Sequence, residues 1–392
     1  MGHACPSCGA AGLEEIYQVR GVPVHSCLLM ESREEALSFP AGDVVLGWCA
    51  ACGFATNVVF DAAMNAYSAR YEEVQTFSAT FNAFASDLVE RLVSKRGVRG
   101  RDVIEIGCGK GEFLFELCER GGNRGVGIDP SFVPGRGRFD AGGRVRFLQE
   151  LYSAERHGSL PADLVVCRHT LEHIAPTRSF LETVRRSLGD RHETLVFFEV
   201  PDQERVYDER AFWDVYYEHC SYFTAGALER LFLACGFEIL DSWKGFGDQY
   251  LLLEARPLPA GRAPCFRPKE SLAELEGKVR SFAGDAPRAI EAWRERFRGW
   301  AGAGKRVVLW GAGSKGVAFL STLGVADALD AAVDINPHKH GCFLPGSGHE
   351  VVAPESLRSR RPDVVVVMNA IYEREIREQL AGMGLAPELA CV

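Results

Sequence analysis

The chain has 392 residues, 47% of them apolar and 25% charged, which is ordinary globular material and enough for two large domains and a small module. Its net charge of −9 and the lack of an Arg/Lys stripe exclude the electrostatic footprint of a nucleic-acid binder or of a protein held on an anionic membrane. No apolar run approaches the roughly 20 residues of a membrane span, and cysteines stand where a signal peptide would have its apolar core, so a cytoplasmic protein is expected.

Residues 1–60 carry two knuckles, Cys5-Pro-Ser-Cys8 and Cys49-Ala-Ala-Cys52, each followed by a glycine (Gly9, Gly53). Four thiolates at this spacing can close a tetrahedral zinc site, and because all four ligands are sulfur no position stays open for water. A structural zinc ribbon is therefore expected. His25 and Cys27 lie between the knuckles, but the second complete pair makes them unnecessary as ligands. Other cysteines, such as Cys118, Cys167 and Cys235, sit singly in apolar stretches and read as reduced, buried small hydrophobes.

From Asp61 to Lys95 the sequence reads as helices, with Phe81, Phe84, Leu88 and Leu92 on one face. Its first half gathers Tyr67, Tyr71, Glu72, Gln75 and Phe77, which suits either a lid over a site, with Tyr71 on the substrate, or a solvated connecting helix.

Arg101 to Ser131 reads as strand, glycine turn, helix and second strand. Glu105 precedes Gly107, Gly109 and Gly111, and Asp129 closes the second strand. A dinucleotide fingerprint would place a glycine where this chain has Glu112. The pattern instead resembles the class I S-adenosylmethionine-dependent methyltransferases, which implies glycines close to the methionyl part of the cofactor and Asp129 on its ribose. Further strands at 145–148 and 162–167, a helix at 177–188 and a strand ending at Pro201 alternate as in a doubly wound α/β sheet, so residues 61–255 are read as a Rossmann-like methyltransferase domain. Glu150 stands at the level of the adenine, as an acceptor for its amino group or as a surface glutamate. Arg168, His169, Glu172 and His173 follow the fourth strand at the mouth of the sheet. Arg168 is assigned to the cofactor, and His169 and His173 to the substrate side; a metal pair of the two histidines lacks a third ligand.

The stretch from Ala211 to Phe223 packs Trp213, Tyr216, Tyr217, Glu218, His219 and Tyr222 ahead of a helix that Thr224 can cap. A histidine beside a carboxylate is a common way to hold a basic imidazole in one tautomer. The order of cysteine module, methyltransferase core, Tyr-x-Glu-His-x-x-Tyr-Phe loop and C-terminal nucleotide fold resembles the sugar C-methyltransferase family. That resemblance implies His219 as general base, Tyr216 and Glu218 beside it, His173 near the substrate oxygens and Tyr222 in the substrate pocket. Two departures stand out: Gly245-Phe246-Gly247-Asp248-Gln249-Tyr250 replaces a frequent His-Gly-Gly-Ser segment, and Tyr217 replaces a frequent histidine.

Residues 256–304 are a Pro/Gly/Arg linker and a helix from Ser271 to about Trp300. Residues 305–392 read as a Rossmann-like half-domain, with Gly311-x-Gly313-x-x-Gly316 after its first strand and Asp334 closing the next. That pattern matches a dinucleotide site and carries an alternative, an NAD-binding oxidoreductase, although the length leaves room for only half of such a fold. The resemblance instead implies a cleft facing the methyltransferase domain, with Gly311 and Lys315 helping to hold the substrate; a scaffold role stays open. The expected reaction is C-methylation alpha to a keto group on a nucleotide-linked deoxysugar or related small metabolite, by a monomer or homodimer. O- or N-methylation of a small-molecule natural product is the other methyl-transfer alternative.

Overall fold

The computed structural model describes residues 3–65, 70–136 and 143–392. At the N-terminus, β1 (Glu14–Pro23), β2 (Ala41–Trp48) and β3 (Ala55–Asn57) form an antiparallel meander. Val44, Leu46 and Trp48 are buried at the two-residue period of a half-buried strand. The knuckles are twin turns: Gly9 N donates to Cys5 O and Gly53 N to Cys49 O, each at 2.8 Å. Both glycines have left-handed φ (81° and 82°), which a side chain would strain.

Of the helices expected from Asp61 to Lys95, a short 3-10 turn forms at Ala62–Met64 and an α-helix at Ala79–Glu90, where the Ser78 hydroxyl accepts from Phe81 N and a π-turn, Arg91–Lys95, continues it. Upstream, Leu29 N donates to Arg70 O at 3.1 Å and Glu72 N to Cys27 O at 2.9 Å. Backbone partners from the N-terminal module thus replace the intrahelical ones, and residues 70–78 become a strap. Tyr67 lies outside the described residues.

The central sheet holds β4 (Asp102–Ile106), β5 (Arg124–Ile128), β6 (Val145–Leu148), β7 (Leu164–Arg168) and β8 (Leu195–Pro201), all parallel. The two-residue β9 (Ser221–Tyr222) leaves this sheet to pair with β3, and the hairpin of β10 (Phe237–Gly245) and β11 (Tyr250–Pro257) returns to β8 antiparallel. The order β10-β11-β8-β7-β4-β5-β6 puts a topological switch point between β4 and β7. The helices Ala79–Glu90 and Glu112–Gly121 cover one face, and Thr177–Leu188 and Ala225–Ala234 the other.

A 31-residue helix, Leu272–Gly302, leads to a second, wholly parallel sheet. It comprises β12 (Val307–Trp310), β13 (Ala331–Val333), β14 (Val351–Val352), β15 (Val364–Val367) and β16 (Glu388–Cys391), ordered β14-β13-β12-β15-β16, with its switch point at β12. One apolar cluster joins Tyr17 and Trp48 of the meander, Phe212 and Trp213, Phe282 and Phe297 of the long helix, and Phe319 beside β12. The loop that bears His219 is therefore clamped between the N-terminal module and the C-terminal sheet. Among the described residues no helix is long and apolar enough to cross a membrane.

Candidate active site

The carboxyl ends of β4, β5 and β7 and those of β12, β13 and β15 open onto one cavity of about 790 Å³. On the first side Gly109 N donates to Asp129 Oδ2 at 2.9 Å, and Ser131 N and Oγ donate to Oδ1 at 2.6 and 2.7 Å. These bonds aim the Asp129 carboxylate along the mouth of the turn. Gly107 has φ 72°, and a Cβ there would lie 1.9 Å from Thr170 Oγ1. Gly111 lies off the cavity, where a Cβ would meet the Phe147 ring at 2.4 Å. The turn therefore exposes backbone to a ligand at Gly107 and Gly109, while Gly111 serves packing.

Glu105 is 3% exposed, and burial pushes its carboxyl up to about 8, the nearby Arg168 guanidinium notwithstanding. Arg168 Nε donates to Glu199 Oε2 at 2.6 Å, and its guanidinium covers the Phe113 ring at 4.2 Å. Glu105 Oε2 and Arg168 Nη2 are buried without a hydrogen-bond partner in the protein, so each calls for a polar ligand. Together with the glycine cradle and Asp129 they fit an adenosyl cofactor carrying an amino-acid tail. Glu150, at the rim, is held by His157 Nε2 at 2.8 Å and by an ion pair to Arg156.

His219 lies between the two half-sites. Its Nε2 meets the Tyr216 hydroxyl at 3.1 Å, and its ring stands edge-on to His173 with centroids 4.8 Å apart. Burial, with His173, His169 and Lys315 adding to it, holds His219 well below its usual range, so the ring is neutral near pH 7. Burial, with the nearby Asp214 and Glu218 charges, raises the Tyr216 phenol well above its usual value, so it stays protonated. His173 Nδ1 donates to the Glu218 carbonyl at 3.0 Å. His169, at φ 48°, donates from Nε2 to Glu199 Oε1 at 2.9 Å, with Nδ1 3.6 Å from Glu172 Oε1. Burial disfavours its charge, but these carboxylates outweigh that and raise it to about 9.

Glu218, expected beside the base, and Tyr222, expected in the substrate pocket, do not line the cavity. The carboxylate of Glu218 turns to the N-terminal module, accepting from His25 Nδ1 at 3.1 Å and Ser26 N at 3.0 Å. It orients the loop rather than the His219 ring. Tyr222 sits behind the loop, its hydroxyl donating to Tyr216 O at 3.2 Å, because β9 draws it into the meander. Tyr71 lines the cavity from the strap.

On the far side the geometry repeats. Ala312 N donates to Asp334 Oδ2 at 3.1 Å and Asn336 N to Oδ1 at 2.9 Å. Here, however, Lys339 Nζ also donates to Asp334 Oδ2 at 3.2 Å, so an ammonium neutralises the acid that a dinucleotide site would set on ribose. A Cβ at Gly316 would lie 2.5 Å from Gly311 O, so the third glycine permits close helix packing. Lys315, its pKa lowered by burial, donates to Gln249 Oε1 at 3.0 Å and pairs with Asp214 at 3.1 Å. Gln249 belongs to the segment that departs from the family pattern, and it also exchanges hydrogen bonds with Asn369. Asp214, Glu199 and Asn336 join the site without having been expected there; of the three only Glu199, an acid inside the apolar strand LVFFEVP, carries a local sign in the sequence.

At the knuckles, Cys5 and Cys52 sulfurs are 3.7 Å apart and those of Cys8 and Cys49 3.6 Å. A tetrahedral zinc with Zn–S bonds near 2.3 Å requires sulfurs about 3.8 Å apart, so the four thiols fit a zinc ion. Their closure leaves no open ligand position, which makes its role structural.

A profile described as a methyltransferase domain matches residues 77–242, and one described as a C-methyltransferase C-terminal domain matches 269–386. The chain is 31% identical over 309 residues to the C-methyltransferase NovU of Streptomyces niveus, covering 74% of this chain and 71% of that one. Among solved structures it is similar to magnesium protoporphyrin IX methyltransferase of Synechocystis PCC 6803 with bound S-adenosylhomocysteine, at 17% identity and a TM-score of 0.37 over 47% of this chain and 88% of that one. It is also similar to 1,6-didemethyltoxoflavin-N1-methyltransferase of Burkholderia thailandensis, at 20% identity and a TM-score of 0.36 over 48% and 82%.

Proposed function

The chain belongs to the S-adenosylmethionine-dependent C-methyltransferase family, and from that premise we propose that it methylates a carbon alpha to a keto group on a nucleotide-linked deoxysugar, with His219 as the general base. The observation that carries this reading is the neutral His219 at the junction of two switch-point clefts that share one cavity. In this scheme residues 1–60 hold the metal, 61–255 the cofactor, 256–304 the link, and 305–392 the far end of the substrate, through Gly311 and Lys315.

When bound, the cofactor supplies an electrophilic methyl group on its sulfonium. An alpha carbon becomes a nucleophile only when its proton leaves, and Nε2 of a neutral His219 can take that proton. The ring now shares its Nε2 with the Tyr216 hydroxyl. On substrate binding Nε2 exchanges that bond for the alpha proton, and the freed, still protonated Tyr216 donates to the enolate oxygen. The C–H electron pair moves into the enolate, whose carbon would then form the C–C bond with the methyl group the bound cofactor supplies, the C–S pair returning to sulfur. His173, fixed by its bond to the Glu218 carbonyl, and the cationic His169 border the same space.

His219→Asn should lower turnover by about 10²–10⁴-fold and abolish deuterium wash-in at the substrate's alpha carbon, with S-adenosylhomocysteine affinity unchanged. Because the pKa of His219 is lowered, the base stays neutral below its usual 6.5, so the acid limb of kcat should lie below that pH. Undiminished wash-in by the variant would remove His219 from the mechanism.

A further inference from the structure

The cofactor half-site has a wall that the sequence did not suggest. Glu73, in the strap, reaches over the glycine turn: a Cβ on Gly109 would lie 2.6 Å from Glu73 Oε1. Its other oxygen, Oε2, is buried and has no hydrogen-bond partner. Both Glu73 and Asp129 line the cavity, and so does Glu105 beneath them. The cation nearest in sequence to this turn, Lys110, is 1% exposed and donates to Ser131 O at 2.9 Å, and among the described residues Glu73 forms no ion pair. Burial and the nearby Asp129 and Glu72 push the Glu73 carboxyl up to about 8 although the Lys110 charge opposes them, so a group over this acid-lined turn with one oxygen unanswered becomes a stable carboxylate when a cationic donor reaches it.

The neighbouring residue explains how Glu73 is held there. Glu72, fully buried, accepts from Asn336 Nδ2 at 2.8 Å and pairs with Arg136. Asn336 in turn follows Asp334 in the C-terminal half-site, where its backbone caps that acid. Two consecutive carboxylates thus touch the two half-sites, one each.

We propose that Glu73 receives the amino group of the cofactor's methionyl tail, with Glu72 and Asn336 as positioning residues that tie this contact to the C-terminal domain. The proposal rests on the cofactor reading above. It assigns the strap a role in cofactor selection, distinct from covering the substrate.

The test compares S-adenosylhomocysteine, which carries the amino-acid tail, with 5′-methylthioadenosine, which lacks it, by titration calorimetry on the full zinc-loaded chain. Glu73→Gln, nearly isosteric, should weaken S-adenosylhomocysteine about 10- to 100-fold, as loss of a charge-assisted hydrogen bond does, and leave methylthioadenosine unchanged. Asn336→Ala should shift the same ligand by a smaller factor and again spare methylthioadenosine. Unchanged affinity of Glu73→Gln for S-adenosylhomocysteine overturns the proposal, and so does an equal loss for both ligands, which would mark a structural role. If the unmutated chain binds neither ligand, the cofactor reading falls and this one with it.

Discussion

The two turns that face the cavity are built alike and charged differently. After β4 and after β12 a backbone amide of the turn reaches one oxygen of an acid at the next strand's end, and the amide two residues beyond that acid reaches the other oxygen. Asp129 keeps neutral donors only, whereas Asp334 is joined by the ammonium of Lys339, itself 8% exposed. The same backbone therefore holds a carboxylate among neutral donors in one place and a neutralised internal pair in the other. Turn geometry fixes where a ligand can approach; the neighbouring cation decides which ligand is welcome.

The largest expected effect comes from breaking the neutralised pair. Asp334→Ala leaves Lys339 buried without its carboxylate and should cost about 3–5 kcal/mol of unfolding free energy in denaturant titration, with a change in S-adenosylhomocysteine affinity no larger than that of Asn336→Ala. Asp129→Asn acts on the other turn, and should weaken S-adenosylhomocysteine by about 10- to 100-fold with a smaller loss of unliganded stability, as lost charge-assisted bonds imply. If the two substitutions swapped phenotypes, the contrast between the turns would be wrong. The smallest effect belongs to Lys315→Met, since Asp214 retains its ion pair with Arg205. It should raise KM for a nucleotide-linked substrate about 10-fold and leave kcat and S-adenosylhomocysteine affinity alone, whereas an unchanged KM would return the C-terminal domain to scaffolding.

Local patterns made much of this legible. Each knuckle, the Glu105 to Asp129 run and the Gly311 turn is written in a short stretch of chain, so its local geometry could be read there even where its ligand could not. What stayed hidden depends on partners far away in the chain. Glu218 looked like a partner for its neighbour His219 but answers His25, 193 residues distant. The segment before Ala79 has a helical pattern, yet its backbone bonds to residues 27 and 29 pull it into a strap. That Lys339 is the counter-ion of Asp334 follows from the turn that brings it back, which spacing alone does not show. The long-range terms outweighed local propensity at each of these places.

β9 has a bearing on how the enzyme comes to be active. Its two residues follow His219 and Cys220 directly, and Thr56 Oγ1 bonds Cys220 O across 164 positions of chain. Closing so long a loop for so short a strand is entropically slow, and contacts of high sequence separation delay folding. Refolding should thus proceed in stages, with metal uptake and sheet formation ahead of catalytic competence. On a growing chain β3 leaves the ribosome long before the loop it must receive, so the N-terminal module can assemble first.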